Sequence, residues 1–367
     1  MKVVLMHDWL TGFRGGERVL EAFCELFPDA PIVTLIHKRG SVPPSIEKHA
    51  ITTSFLNKIP GIHEQYRKFL PLFPRAAESL VLPDDVDLVL SSSHCVIKGV
   101  KKPAKAVHVS YLHSPMRYLY DQYDNYFGPD APIYQRAGMK LVRGYLTNWD
   151  KASNANVDVM IANSGFVKER IKNFYGIDSG IIHPFVDLAD FEDIKKSPPA
   201  KENYYCMVTA FAPNKRVDLA IKAFNQMEKR LVIIGSGQQE EMLKAMAGKT
   251  IEFLGNVDRA TVMRTLAKSR ALIFPGVEDF GITPLEALAA GTPVIAFKAG
   301  GVLETLSDKV AQFFDSPETE SLVDAVSTFE QRQFQRDDLI SRANDFSKES
   351  FKAKILEVVQ NALGKKI

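Results

Sequence analysis

Short apolar runs alternate along the chain with stretches whose apolar residues recur at helical spacing. The run KVVLMHDW (2–9) leads through TGFRGGE into ERVLEAFCELF, where Val19, Leu20, Phe23, Leu26 and Phe27 fall at the helical period. PDAPIVTLIH, DVDLVLSSSH (85–94), AVHVSYLH (106–113) and VDVMIANS (157–164) read as further buried strands. The stretch DFEDIKKSPPAKEN (190–203), rich in proline and charge, interrupts the pattern and reads as a linker. After it the alternation restarts with YYCMVTAFA, VDLAIKAFNQM, RLVIIGSG (230–237), EEMLKAMAG, TIEFLGNV, ATVMRTLAKS, RALIFPG, PLEALAAG and TPVIAFKAGG. Buried strands alternating with helices predict parallel α/β sheets. The expected architecture is two Rossmann-like domains facing a central cleft: 1–190, a linker at 191–200, and 201–367. In such sheets ligands sit beyond the carboxyl ends of the strands.

A length of 367 residues suits two domains of ordinary size. With 46 Lys+Arg against 44 Asp+Glu the net charge is +2, which argues against a protein built to grip nucleic acid. The three cysteines, Cys24, Cys95 and Cys206, are far apart and form no C-x-x-C pair, so neither a disulfide framework nor a zinc site is indicated. A reducing compartment fits best. No run approaches the roughly 20 apolar residues of a membrane span, and the N-terminal apolar run is too short for a signal peptide. The expectation is a cytoplasmic protein.

The stretch GVEDFGITPLEALAAGTPVIAF (276–297) carries the most chemistry. A strand ends at Gly276, Glu278 lies in the loop after it, and Glu286 falls in the first turn of the next helix, with Thr283 as the expected N-cap and Pro284 behind it. The loop amides of Phe280, Gly281, Ile282 and Thr283 at a helix start suit an anion. Two carboxylates beside such a place suit a ligand carrying both phosphates and hydroxyls. The blander alternative leaves Glu286 complementing the helix dipole and Glu278 solvated. Gly15 and Gly16 precede a helix expected to begin near Glu17, where the missing Cβ atoms let backbone amides approach a pyrophosphate; otherwise they form a simple turn. His113 ends an apolar strand, commonly a structural position. Lys215 and Arg216 open a helix, where cations are disfavoured unless an anion binds there. Asp85-Val86-Asp87 opens a strand and reads as structural. Gly235-Ser236-Gly237 lacks the third glycine of a dinucleotide fingerprint.

Taken together, EDFGITPLEALAAGTPVIAFKAGGVLET (278–305), HDWLTGFRGGERVLEAF (7–23), YLHSPMRYLYD (111–121), VDVMIANSGFVKERI (157–171), GIIHPFVDLADF (180–191) and APNKRVDLAI (212–221) resemble, in order, the segments of glycosyltransferase family 4, the retaining GT-B transferases. The bacterial mannosyltransferases that build surface polysaccharides are the most similar branch. The resemblance implies a GT-B fold and retaining, metal-independent transfer of a hexose, mannose from GDP-mannose, to a glycan or lipid-linked acceptor, with no cofactor beyond the nucleotide-sugar. It implies that Lys215, Arg216, the 280–283 amides and Gly15–Gly16 hold the diphosphate, Glu278 the sugar and Glu286 the ribose. His113 orients the sugar or acceptor. One departure stands out: the family usually has an arginine five residues before the lysine, and here that position is Ala210. A GT-B sugar-nucleotide epimerase and a catalytically weak sugar-nucleotide-binding protein are the alternative readings.

Two basic segments suggest peripheral contact with an anionic membrane at its inner face. One is HEQYRKFLPLFPRAAESLVL (63–82), with Arg67, Lys68 and Arg75; the other is the cluster Lys98, Lys101, Lys102 and Lys105. The run SFKAKILEVVQNALG (350–364) is amphipathic, and the resemblance lets this last helix cross back onto the first domain.

Overall fold

Residues 1–129 and 131–364 are described in the computed structural model. The chain divides into two compact units. Unit 1 is Met1–His183 with the residues from Lys352 onward; unit 2 is Pro184–Phe351.

Unit 1 is built on a seven-stranded sheet. Its strands are β1 (Val3–Leu10), β2 (Ile32–His37), β3 (Ile51–Thr53), β4 (Leu88–Ser93), β5 (Val107–Leu112), β6 (Val159–Ala162) and β7 (Gly180–Ile181), in the order β3-β2-β1-β4-β5-β6-β7. Every pairing is parallel. Central strands of such a sheet are covered on both faces, which is why β4 is buried throughout and why β1 and β5 are buried at all but one or two positions. The helix Gly15–Leu26 buries Val19, Leu20, Ala22, Phe23 and Cys24, the stripe that its sequence spacing requires. The helix Gly165–Tyr175 starts where the Ser164 hydroxyl accepts the Val167 amide hydrogen and stops at Gly176, whose φ of 72° ends the helical turn.

Unit 2 repeats the scheme with six parallel strands. They are β8 (Tyr205–Val208), β9 (Leu231–Ile234), β10 (Ile251–Gly255), β11 (Leu272–Phe274), β12 (Val294–Phe297) and β13 (Ala311–Phe314), in the order β10-β9-β8-β11-β12-β13. In both sheets the order reverses beside the first strand: between β1 and β4, and between β8 and β11. Crevices at the carboxyl ends of strands flanking such a reversal are where open α/β sheets bind ligands.

Three features differ from the sequence reading. The change of unit falls between His183 and Pro184, not across 191–200. Phe191 is fully buried in the unit 2 core, and the Pro- and Lys-rich stretch after it is a short surface helix, Glu192–Lys196, followed by a loop. Lys98 is no part of an exposed basic cluster. Its ammonium is fully buried, 2.8 Å from Asp150 Oδ1, and donates to Ser153 Oγ and the Asp150 carbonyl. Lys102 is likewise engaged, with Asp158 and the Ala106 carbonyl. Finally, Thr283 does not cap its helix: Gly281, at φ 87°, turns the chain into Ile282–Ala289 two residues earlier. The last helix, Lys348–Leu363, buries Ile355 and Val359 and pairs Lys352 with Glu25 at 2.9 Å within unit 1.

Unit 1 also buries histidines. His108 donates Nδ1–H to the Asn156 carbonyl (2.8 Å) and accepts at Nε2 from Ser91 (2.8 Å), and burial drives its pKa down to about 4. Between pH 6.5 and 4 the unfolded chain therefore binds the proton that the folded one refuses, so stability falls as the pH drops through that window. Thermal melts of unit 1 at pH 7.5 and pH 4.5 are expected to differ by on the order of 2 kcal/mol from this residue alone, and His108→Gln is expected to remove that part of the acid sensitivity.

Candidate functional site

At the reversal point of unit 1, polar residues replace the apolar run of β1 and β4. Asp8 is fully buried. Its Oδ2 accepts the amide hydrogens of His94 (2.6 Å) and Cys95 (3.0 Å), and its Oδ1 those of Val96 and Ile97 (both 2.8 Å). Four amides of a buried turn, which water would otherwise have to satisfy, thus converge on one carboxylate. Beside it, Ser92 Oγ lies 3.1 Å from His7 Nδ1 and 2.8 Å from His113 Nε2. His7 Nε2 is 3.7 Å from Glu17 Oε1, and the other oxygen of Glu17 accepts the Arg14 amide hydrogen at 3.0 Å. Gly15 and Gly16 are the first two residues of the helix rather than its approach. A Cβ on Gly16 would sit 3.3 Å from His7 Cε1 and 3.7 Å from His113 Nε2, so this helix start lies directly on the two rings. Burial, joined by His94, His7 and Arg117, holds the His113 pKa well below the ordinary value, and the ring is neutral at pH 7.

At the reversal point of unit 2, the loop after β8 carries Lys215 and the loop after β11 carries Glu278. They meet: Nζ and Oε1 are 2.6 Å apart, both side chains largely shielded. Gly276 permits this, because a Cβ there would lie 2.5 Å from the Asn214 carbonyl oxygen and 2.8 Å from Lys215 Cα. Behind them the loop after β12 closes the stack, the Gly301 amide donating to the Glu278 carbonyl (2.9 Å). Arg216 does not join Lys215. At φ 49° it turns along its own helix, with Nε 3.2 Å from Asp218 Oδ1. Glu286 is buried in the helix that follows, and its Oε1 is 2.5 Å from Arg259 Nη1; the same guanidinium also pairs with Asp190 at 3.0 Å. Phe280 is a core residue, its ring 5.8 Å from that of Phe346, while Gly281 turns the chain and Ile282 and Thr283 are the first two residues of the helix. Ala210 is exposed in the loop after β8. The Gly235-Ser236-Gly237 turn packs on that loop, with the Phe211 amide donating to the Ser236 carbonyl. Among the described residues, no group of three or more His, Cys, Asp or Glu side chains is placed to hold a metal ion.

Residues 13–190 match the family model for Glycosyltransferase Family 4, and residues 190–346 that for Glycosyl transferases group 1. The chain belongs to glycosyltransferase family 4. This family 4 chain is similar to the alpha-1,3/1,6-mannosyltransferase of Saccharomyces cerevisiae, with 29% identity over 252 residues, 54% of this chain and 50% of that protein. It is similar also to a GDP-mannose-dependent phosphatidylinositol monomannoside mannosyltransferase of Corynebacterium glutamicum, with 26% identity over 249 residues, 54% of this chain and 64% of that one. The chain thus spans roughly half to two-thirds of the length of the curated relatives it matches. Among solved structures, Anabaena HepE in complex with UDP and glucose superposes with a TM-score of 0.69 at 17% identity, covering 98% of this chain and 99% of the other. The fold is that of the GT-B transferases.

Sequence spacing singled out Lys215, Glu278, Glu286 and Gly15–Gly16, and the family resemblance singled out His113, but neither found the residues that hold them. His7, Asp8, Glu17, Ser92, Arg259 and Asp190 escaped both. One signal was present: His7-Asp8 and the Ser91–Ser93 run interrupt strands that are otherwise apolar on both faces, where a polar residue needs a partner. Removing the Asp8 carboxylate strands four buried amides. Asp8→Ala is expected to cost unit 1 roughly 3–5 kcal/mol, given the strength of hydrogen bonds to charged acceptors, read as a drop in the urea midpoint with little change in the slope.

Proposed function

We propose that the chain transfers mannose from GDP-mannose to a glycan or lipid-linked acceptor, with retention and without a metal. The observation that carries this reading is the Lys215–Glu278 pair at the reversal point of the unit 2 sheet, a cation and a carboxylate held side by side by stacked loops. A nucleoside diphosphate sugar offers a match for each: phosphate oxygens for the ammonium, sugar hydroxyls for the carboxylate. The donor would take Lys215 from Glu278, freeing the carboxylate to accept from the sugar. As the bond from the sugar's anomeric carbon to the diphosphate breaks, charge grows on the leaving oxygen, and Lys215 with the amides at the start of Ile282–Ala289 stabilises it. The acceptor hydroxyl attacks from the same face, and its proton passes to the departing diphosphate. Glu286 is assigned the ribose hydroxyls, with Arg259 fixing its carboxylate. His113 orients the sugar or acceptor. The mannosyl relatives support the donor assignment.

The alternative of a weak sugar-nucleotide binder draws on Ala210 and on Arg216, which faces Asp218 instead of replacing the missing arginine. Membrane contact rests on fewer charges than the sequence suggested, since Lys98 is buried, though Arg67, Lys68 and Arg75 are exposed. Among the described residues no helix is long and apolar enough to cross a membrane.

Thermal shifts with GDP-mannose, UDP-glucose and ADP-glucose, followed by hydrolysis and transfer assays, test the donor; stabilisation by a uridine or adenosine donor alone would sink the assignment. Glu278→Ala is expected to lower turnover at least roughly tenfold, while GDP affinity by titration calorimetry stays near that of the parent. Lys215→Ala is expected to abolish detectable GDP binding, and Ala210→Arg to tighten it by roughly 1–2 kcal/mol, the scale of a charge-assisted hydrogen bond.

A further inference from the structure

Ser92 holds a single hydroxyl proton and faces three groups: His7 Nδ1 at 3.1 Å, His113 Nε2 at 2.8 Å, and the Gly16 carbonyl at a longer 3.3 Å. Counting protons decides who donates. A neutral imidazole carries one proton, on one of its two ring nitrogens. His7 is fully buried, and its Nε2 makes no hydrogen bond but lies 3.7 Å from the Glu17 carboxylate. A lone pair there would face a negative charge, so the His7 proton belongs on Nε2 and Nδ1 is left as an acceptor. Ser92 is the only hydrogen-bond partner of that Nδ1 among the described residues, so the hydroxyl proton points to His7. Ser92 then has no proton for His113, and a 2.8 Å contact with Nε2 is satisfied only if His113 donates.

We infer that the chain Glu17–His7–Ser92 positions His113 as its Nε2–H tautomer and so presents Nδ1 to the ligand as a bare hydrogen-bond acceptor. Nδ1 makes no hydrogen bond among the described residues, and the ring is half-buried. The group it suits is a hydroxyl, of the transferred sugar or of the acceptor, whose proton Nδ1 takes in a hydrogen bond; a carbonyl or phosphate oxygen would find no donor there. The role of the three residues is positioning, and it deepens the transfer reading, on which the identity of the hydroxyl's owner rests. Two neighbouring facts agree with the geometry. Burial works to raise the Glu17 pKa, but His7 beside it, a backbone hydrogen bond and His94 together carry it below the ordinary carboxylate value, so the charge that orients His7 is present at pH 8. His94, the other ring facing His7 (centroids 5.8 Å apart) and His113 (6.2 Å), is held by Asp8 at 3.4 Å and has its pKa lowered by burial, so it adds no positive charge.

The test is the tautomer itself. In the full chain labelled with nitrogen-15 in its histidine rings, long-range proton–nitrogen spectra at pH 8 report which nitrogen of His113 is protonated, the resonance being assigned by its loss in His113→Gln. The expected result is a protonated Nε2 and a bare Nδ1; a proton on Nδ1 in the parent chain would overturn the inference. Ser92→Ala is expected to mix the tautomers and to lower kcat for transfer on the order of tenfold with donor KM unchanged, and Ser92→Thr, which keeps the hydroxyl, to restore both. A single unchanged tautomer in Ser92→Ala would equally refute it. If the parent chain transfers from no nucleotide-sugar, the transfer reading fails, and the parent spectrum still decides the tautomer.

Discussion

A buried carboxylate that meets four backbone amides organises unit 1. Asp8 stands near the end of β1, and the turn after β4 wraps its amides around it, so the two strands flanking the sheet's reversal point are tied at their carboxyl ends. From that tie the rest of the edge takes its positions. Ser92 stands between His7 and His113, and the helix start at Gly15–Gly16 lies against both rings. Breaking the tie leaves donors in a place water does not reach, which is why the arrangement is rigid rather than adjustable.

Unit 2 reaches a comparable edge by another route. Its loops are fixed by close backbone approach, Gly276 under Lys215 and Gly301 against the Glu278–Phe280 segment, and the charged pair closes over them. In unit 1 a polar network sets the geometry; in unit 2 the absence of side chains sets it. Both edges lie where the topology of a doubly wound sheet leaves a crevice.

The alternation of apolar runs with helical spacing made the parallel sheets legible, because strands covered on both faces must be apolar. The carboxylates and lysine of unit 2 were legible from short segments, since a loop and the helix after it keep such residues within a few positions of one another. What lay hidden depends on residues distant in sequence. Glu286 meets Arg259 across 27 positions, and Asp8 meets the turn after β4 across 86 to 89. The basic cluster at 98–105 misled because composition counts charges without saying which are buried: Lys98 has its partner 52 residues away, in Asp150. The proline-rich stretch misled similarly, since Phe191 at its start is an anchor in the unit 2 core.

The last helix belongs to two bodies: its first turn counts with unit 2, and from Lys352 it counts with unit 1. Unit 1 is therefore discontinuous along the chain, with all of unit 2 inserted between its bulk and its closing helix. On the ribosome, which releases segments in order, unit 1 waits for Ile355 and Val359 to emerge, while unit 2 has its whole core available sooner. No single cleavage of the backbone yields both units complete. A fragment ending at His183 would leave uncovered the apolar surface that the helix normally buries, and such a surface is a liability for aggregation.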